Sequence, residues 1–171
     1  IINSVEKGSK RYYNILTNEN ASINSCRKWE QKLGVGIRWK QVFMKIHKIQ
    51  EIKLKWMQLR IVHRILATNV VLKEMGVKTN NMCTFCQIER DSIDHVFWKC
   101  NVAKLFWKGL ESIINDKCDH AANFKFTEKL VLFGIDDNIK TDDILDFITI
   151  LAKSFREKQD VFRLKDIAPG A

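Results

Sequence analysis

Residues that interrupt helices are scarce in this 171-residue chain, which has one proline, Pro169, and only seven glycines. A chain with so few of them forms long helices easily. The sequence has no run of 18 apolar residues and no apolar segment near its N-terminus, so it predicts neither a membrane-spanning helix nor a signal peptide. This length is most economically one domain with a reasonable core. Because the chain opens at Ile1 without a methionine, we expect a fragment of a longer protein.

Catalytic motifs are also missing. The sequence contains no paired aspartates of the polymerase type, no H-E-x-x-H, no glycine-rich phosphate loop and no G-x-S-x-G. Its two acid pairs, Asp136 with Asp137 and Asp142 with Asp143, are typical of a turn and of a helix start. We therefore expect no catalytic residue and no enzymatic activity in this chain.

The strongest pattern that is present is C-x2-C-x8-H-x4-C, formed by Cys83, Cys86, His95 and Cys100. Zinc takes thiolate and imidazole ligands, and a C-x2-C turn supplies two sulfurs from one tight loop. The spacing differs from a double C-x2-C ribbon and from a C2H2 finger. The sequence predicts one structural zinc ion with four protein ligands and no open position for water. Cysteines at metal spacing also argue against a disulfide framework and favour a reducing, intracellular compartment.

The x4 spacing between the last two ligands constrains the local backbone. Residues five apart on an α-helix point about 140° away from one another, so His95 and Cys100 cannot both face one ion from a regular helix. We expect Cys100 at or beyond the end of a short helix for which Ser92 is the candidate N-cap. The second ring nitrogen of His95 has two candidate partners, Glu89 and Asp94.

Positive charge is concentrated in the part of the chain that contains this motif. Residues 1–100 hold 18 Lys and Arg against 8 Asp and Glu, whereas residues 101–171 hold 11 against 12. A basic region of this kind favours contact with a polyanion, most simply nucleic acid. The alternative is a basic surface that only keeps the protein in solution.

A helix predicted over residues 51–68 carries part of this charge. Its apolar residues occupy two roughly opposite arcs, which predicts a helix packed on two sides. The first arc comprises Ile52, Trp56, Leu59, Val62 and Leu66, and the second Leu54, Met57, Ile61 and Ile65. Between the arcs lie Lys53, Arg60 and Arg64, which suit a phosphate backbone or are ordinary solvated charges.

Three further side chains complete the candidate nucleic-acid contacts. Lys55 lies about half a turn or more away from the edge formed by Lys53, Arg60 and Arg64. Phe85 and Trp98 lie beside the zinc ligands and could stack on bases. The alternative for the two aromatic residues is a miniature core around the metal.

Apolar periodicity predicts other helical faces as well. "FKFTEKLVLFGI" fits a short strand or a helical turn equally. Gly34 is the candidate C-cap of the first predicted helix. The predicted faces are Cys26, Trp29 and Leu33; Trp39, Val42, Phe43, Ile46 and Ile49; Val102, Phe106, Leu110 and Ile113; and Leu145, Ile148, Leu151 and Phe155, after a start at Thr141 and Asp142.

The segment "LKWMQLRIVHRILATNVVLKEMGVKTNNMCTFCQIERDSIDHVFWKCNVAKLFW" closely resembles the zinc-binding region of LINE-type (non-LTR) retrotransposon reverse transcriptases. "GSKRYYNIL" and "SCRKWEQKLG", with the "IRWKQVFMKIHKI" that follows, resemble the helical segment behind the polymerase thumb. The resemblance covers residues 7–154 and is most specific over 56–107. "FREKQDVFRLKDIAPGA" does not resemble the family's continuation, so we expect foreign or altered sequence there.

Pattern and resemblance together predict a mostly α-helical protein, an irregular helical bundle with a small CCHC zinc-binding module. We expect a post-thumb helical segment at 1–50, the zinc-binding region at 51–116 and a helical tail at 117–171. The resemblance implies a non-catalytic segment that engages template RNA and target DNA in target-primed reverse transcription. It also implies the polymerase core of the same polyprotein as a partner, a location in nucleus and cytoplasm, and no membrane. The alternative function is a zinc scaffold for protein–protein contacts.

Overall fold

The structure is a computed structural model that describes residues 24–117, 123–139 and 142–165, with side chains to Phe155. It divides the chain into two compact units, residues 1–39 and 40–171. The division into 1–50, 51–116 and 117–171 stays a prediction. "GSKRYYNIL", Cys118, His120 and Thr141 lie outside the described residues.

The described part of the first unit, residues 24–39, begins with helix α1 (Asn24–Leu33). Cys26 and Trp29, three residues apart, are buried as the pattern predicts. Gly34 ends the helix with φ of 66°, a left-handed conformation that favours glycine, and its N–H donates to the Glu30 carbonyl at 2.9 Å. The Glu30 carboxylate accepts from Trp39 Nε1 at 2.9 Å, which draws the segment after Gly34 back to α1.

The remaining described elements are also helical. They are α2 (Trp39–Lys48), α3 (Ile52–Val62), α4 (Asn69–Glu74), a π-turn (His95–Lys99), α5 (Asn101–Lys117), α6 (Glu128–Phe133) and α7 (Asp143–Lys165). Over the described ranges no strand forms, and Met82 and Arg90 make an isolated antiparallel bridge. The mostly α-helical prediction is confirmed.

The core of the second unit is built on α6. This helix packs against α3 and also against the π-turn, and its residues Leu130, Val131, Leu132 and Phe133 are all buried. A helix that is apolar all round needs a partner on more than one side. Thr127 Oγ1 accepts from the Leu130 N–H at 3.2 Å at its start. The "FKFTEKLVLFGI" segment is therefore helical.

A buried polar relay joins α7, α3 and α6. Lys153 of α7 has no solvent exposure, and its Nζ donates to Gln58 Oε1 of α3 at 2.5 Å. Gln58 Nε2 in turn donates to the Leu132 carbonyl at 2.7 Å. Removal from water lowers the pKa of Lys153 to about 7, because burial disfavours the charged ammonium. Sequence periodicity did not reveal this relay.

The prediction that a helix over residues 51–68 packs on two sides is wrong. Helix α3 ends at Val62, and Arg64 adopts a left-handed φ of 60°, so the residues after it leave the helix. The face with Leu54, Met57 and Ile61 is buried, together with Val62 at its edge, whereas Trp56 on the opposite face is 61% exposed. Periodicity shows that two faces are apolar, but it does not show which of them meets a partner.

The predicted face of α5 is wrong for a related reason. Val102 and Ile113 are exposed, and the buried face instead carries Ala103, Trp107 and Ile114. Trp107 sets this rotation, because its Nε1 donates to the Phe97 carbonyl of the π-turn at 2.6 Å. A buried indole N–H needs such an acceptor.

The predicted apolar stripe of α7 is only partly buried. Leu151 and Phe155 are exposed, while Thr149, Lys153 and Ser154 occupy the buried face. The relay to Gln58 accounts for the rotation, since a buried lysine requires an acceptor that α3 provides.

Both acid pairs serve local structure. Asp142 accepts from the Leu145 N–H at 2.8 Å and starts α7 as predicted. Asp136 accepts from Thr127 Oγ1 at 2.6 Å, and Asp137 pairs with Lys129 at 2.7 Å, next to the turn that follows α6. None of the helices in the described ranges has the length and apolarity needed to cross a membrane.

Candidate metal centre

The first two candidate ligands lie on a tight knuckle, residues 83–90. The Cys83 N–H donates to the Glu89 carbonyl at 2.7 Å, and the Gln87 N–H donates to the Cys83 carbonyl at 2.9 Å. Gln87 takes a left-handed φ of 54° directly after Cys86, which reverses the chain. These bonds hold the Cys83 and Cys86 side chains on the same side of the loop, as the C-x2-C spacing predicts.

The other two ligands lie at the ends of the π-turn. The Cys100 N–H donates to the His95 carbonyl at 2.8 Å, an i→i+5 bond. The wider π-turn places residues five apart above one another, which an α-helix cannot do. Cys100 caps the turn with ψ of 134°. The expectation that Cys100 lies at the end of a short helix is confirmed. The π-turn allows His95 and Cys100 to face the same point although four residues separate them.

The four side chains converge on one point. The sulfur atoms of Cys83, Cys86 and Cys100 and a ring nitrogen of His95 all lie within 4.8 Å of one another. Cys86 Sγ and His95 Nε2 are 3.3 Å apart. Ligands about 2.0–2.3 Å from one tetrahedral ion stand about 3.6–3.8 Å from each other. These residues could therefore hold one zinc ion, and the four protein ligands would leave no position for a reactive water.

Glu89 orients the histidine. Its Oε2 lies 3.1 Å from His95 Nδ1, so Nε2 is left to face the sulfur atoms. A carboxylate on the second ring nitrogen is a common support for a zinc-binding histidine. Of the two candidates, Asp94 has another role, since it accepts from Ser92 Oγ and from Lys99 Nζ, each at 2.9 Å.

The two knuckle thiols lie in different electrostatic environments. Burial raises the pKa of Cys83 to about 12. Burial also acts to raise the pKa of Cys86, but backbone N–H groups of Ile88 and Glu89, together with His95, lower it to about 6. Zinc binds thiolates and displaces their protons, so binding at neutral pH should release the Cys83 proton.

Asn69 fastens α4 to the knuckle. Its backbone N–H donates to Asp91 Oδ2 at 2.7 Å, and its Nδ2 donates to the Met82 carbonyl at 2.8 Å and Thr84 Oγ1 at 3.1 Å. Its Oδ1 accepts from Lys78 Nζ at 2.6 Å. Burial raises the pKa of Asp91. Sequence reasoning missed Asn69, which is the first residue of α4 after the N-cap Thr68, because its partners lie in the knuckle rather than in its own helix.

A small apolar core supports the centre from the other side. Val96 and Phe97 of the π-turn are buried, and the turn packs against both α5 and α6. The ring of Trp107 lies 4.7 Å from that of Phe126, centroid to centroid. The metal centre thus connects to the helical core through buried side chains.

The six candidate nucleic-acid residues are not brought together in the same way. Lys53 is exposed on α3, and the half-buried Arg60 lies two turns further along the same edge. Arg64 lies beyond the helix end, so the predicted edge of three cations on one helix is wrong. Lys55 Nζ donates to the His47 carbonyl at 3.1 Å. Phe85 and Trp98, both half-buried, lie on the knuckle and the π-turn. Their role in binding stays a prediction.

Comparison with known proteins gives one finding. A family model described as zinc-binding in reverse transcriptase matches residues 9–107, more than half of the chain and a span that includes all four candidate ligands. No curated protein matches the chain, and no solved structure does.

Proposed function

The chain belongs to the zinc-binding family of reverse transcriptases, and from this premise we propose that it is the nucleic-acid-binding segment of a LINE-type enzyme. In this role it assists the engagement of template RNA and target DNA during target-primed reverse transcription. Cys83, Cys86, His95 and Cys100 hold zinc as a structural crosslink. The close resemblance of residues 56–107 to the LINE-type zinc-binding region supports this assignment.

The proposal that the chain binds nucleic acid rests on the uneven distribution of its charge. Residues 1–100, which include the four candidate ligands, hold 18 Lys and Arg against 8 Asp and Glu, and the remainder is near neutrality. A basic surface attracts the phosphate backbone and releases its condensed counterions on binding. Lys53 is well placed for this contact because it is exposed.

A non-catalytic role agrees with the site chemistry. A four-ligand zinc site stabilises structure and offers no position for substrate. The acid pairs that could bind catalytic metal ions are engaged at a turn and a helix start. We propose that the polymerase core of the same polyprotein supplies catalysis and is the intramolecular partner. The corresponding location is nucleus and cytoplasm.

A second candidate function is a protein-binding scaffold. Helix α7 exposes apolar side chains with a spacing of three or four residues on one face, namely Ile144, Phe147, Leu151 and Phe155. Exposed apolar stripes mark protein contacts in many proteins. This stripe favours a scaffold on which the polymerase core docks, without direct contact to nucleic acid.

The test is binding of single-stranded RNA, single-stranded DNA and duplex DNA to the zinc-loaded chain at several salt concentrations. Lys53→Ala should flatten the plot of log affinity against log salt by about 0.7–0.9, the contribution of one neutralised phosphate. Lys108→Ala, an exposed lysine on α5 in the near-neutral part of the chain, is the matched control and should leave the slope unchanged. If the folded, zinc-loaded chain shows no salt-dependent binding, the scaffold function replaces this proposal.

A further inference from the structure

Trp56 lies on the outer face of α3 with 61% of its surface exposed. The chain has five tryptophans. Trp29 and Trp107 are buried, and Trp39 and Trp98 are half-buried. A side chain of this size normally contributes to a core or to an interface, because its apolar area is large. Trp56 contributes to no described core, and this points to a role at a surface.

Helix packing does not account for this residue. Helix α3 meets α6 and α7 through the face that carries Leu54, Met57 and Ile61, on the other side of the helix from Trp56. At an exposed helical position an alanine stabilises a helix better than a tryptophan. Ile52, one turn before Trp56, is 68% exposed on the same outer face. The outer face is therefore an apolar surface that the described elements leave exposed.

Two cations flank the ring. Lys53 lies three residues before Trp56 and Arg60 four residues after it, which are the positions adjacent to Trp56 on a helix surface. The two cations are separated by about 10 Å along the helix axis. The nearest acid in sequence, Glu51, directs its carboxylate to the backbone N–H of Lys53 at 3.4 Å as the helix cap. An aromatic ring between two cations is thus presented along one edge of α3.

We propose that Trp56 is a stacking platform for single-stranded nucleic acid, with a base on the indole and phosphates near Lys53 and Arg60. The inference rests on the proposed function, and it adds the class of substrate that this surface takes. Modules that bind single strands combine cations along the backbone with aromatic rings under the bases. A duplex offers its phosphates but keeps its bases stacked, so the ring selects unpaired strands.

The experiment measures affinities of the full, zinc-loaded chain for oligonucleotides of single-stranded RNA, single-stranded DNA and duplex DNA. Trp56→Ala should weaken binding of a single strand by roughly 5- to 150-fold, the range measured for loss of one base–aromatic stack. Trp56→Phe should restore most of the affinity, because phenylalanine also has a π-face. The salt slope should not change, since no phosphate contact is lost. Duplex affinity should change less than twofold.

Ile52→Ala is the matched control, because it removes an equally exposed apolar side chain that has no ring. It should weaken single-strand binding less than twofold. Zinc content and helicity should be the same in all variants. Indole fluorescence of the wild type should be quenched by single strands, and Trp56→Phe should lose that quenching.

The possible failures are distinguishable. If Trp56→Ala binds single strands as the wild type does, with salt-dependent binding intact, stacking is overturned and the proposed function stands. If Trp56→Ala weakens duplex and single strand equally, or if Trp56→Phe fails to restore binding, the selection of unpaired bases is overturned. If the wild type binds no nucleic acid at any salt concentration, the proposed function and this inference both fail.

Discussion

Two regions of the molecule are stabilised by different interactions. They are the metal module, residues 69–100, and the helical body, formed by α3, α6 and α7. In the metal module the chain turns around four converging ligands and is fastened by polar bonds at Asn69 and Glu89. In the helical body, the last four residues of α6 are buried and α3 contributes one apolar face. We therefore expect only the metal module to depend on a bound ion.

The two regions meet at α6. This helix packs against the π-turn of the metal module and also against α3 of the helical body. Loss of the metal should therefore loosen one side of α6 and leave the contact with α3 in place. Four perturbations test whether the metal module and the helical body are stabilised separately.

Removal of zinc should have the largest effect. Cys83→Ser, or a chelator added to the wild type, should bring amide hydrogen exchange in residues 69–100 close to the rate of an unfolded chain. For small zinc modules the metal contributes folding free energy outright, about 10–16 kcal/mol in finger peptides. Exchange in α3 should stay slow, because its buried face does not contact the metal. Hydrogen exchange with mass spectrometry measures both regions at once.

Cys26→Ser is the control for that experiment, since Cys26 is a buried thiol outside the cluster whose pKa burial raises to about 11. It should keep the full zinc content. Equal loss of protection in α3 and in the metal module after chelation would show that the two regions form a single cooperative unit.

Asn69→Ala should weaken the metal module by about 2–3 kcal/mol. The substitution removes the donor to the half-buried Met82 carbonyl and the acceptor of the half-buried Lys78 ammonium. Leaving one polar group unpaired in a protein interior costs about 1–3 kcal/mol. The change should appear as a lower free energy of unfolding with zinc bound. Asn80→Ala removes one exposed bond to the Met82 N–H and should cost well under half as much. Similar decreases in the free energy of unfolding for both variants would mean that the hydrogen bonds of Asn69 do not hold α4 against the knuckle.

Glu89→Ala should lower zinc affinity by about tenfold. Loss of the residue that orients a zinc-binding histidine typically lowers metal affinity 10- to 100-fold. The low end of that range applies here, because the Glu89 side chain is 67% exposed to water. Competition with a chromogenic chelator measures the change, and Glu89→Gln should recover part of it. Glu74→Ala, an exposed acid at the end of α4, should have no effect. An unchanged affinity for Glu89→Ala would remove Glu89 from the site.

Lys153→Met should change the pH dependence of the helical body. The pKa of Lys153 is about 7 in the folded chain, against about 10.4 when unfolded. Between these values the unfolded chain binds a proton that the folded chain has released, so the stability of the wild type rises with pH from 7 towards 10. In this window the free energy of unfolding of the wild type, relative to that of Lys153→Met, should rise by at most about 1.4 kcal/mol per pH unit.

Denaturant unfolding at pH 7, 8 and 9 measures that difference, and the metal ligands cancel because both proteins contain them. Below pH 7 both states of the wild type carry the proton, so the difference should become flat. A difference that is independent of pH from 7 to 9 would show that Lys153 keeps its proton in the folded chain.

The sequence predicted that the four candidate ligands lie together, because the pattern that they form is local. Two cysteines in a C-x2-C turn, with His95 and Cys100 close behind, restrict the chain to a few geometries. The same holds for Gly34, where a glycine after an apolar repeat indicates a helix end. The expectation that Cys100 lies at or beyond the end of a short helix also followed from helix geometry.

The orientation of the helices could not be predicted, because it depends on partners that are distant in sequence. Residues on α3 form two apolar faces, and only contact with α6 and α7 decides that Trp56 is exposed. The burial of Lys153 requires Gln58, which is 95 residues away. A polar residue at a buried helical position carries no signal in hydrophobic periodicity.

The π-turn also has a consequence for how this domain tolerates insertions and deletions. Four residues separate His95 from Cys100, and the i→i+5 bond between them accommodates that number. With three residues between them, both ligands would fit one face of an ordinary α-helix, so the metal could still be bound. The start of α5 would then rotate by about 100°, and Trp107 would turn away from Phe97 and Phe126. The length of this gap is thus fixed by the docking of α5 as much as by the metal, and a shortened gap would need a compensating insertion before Trp107.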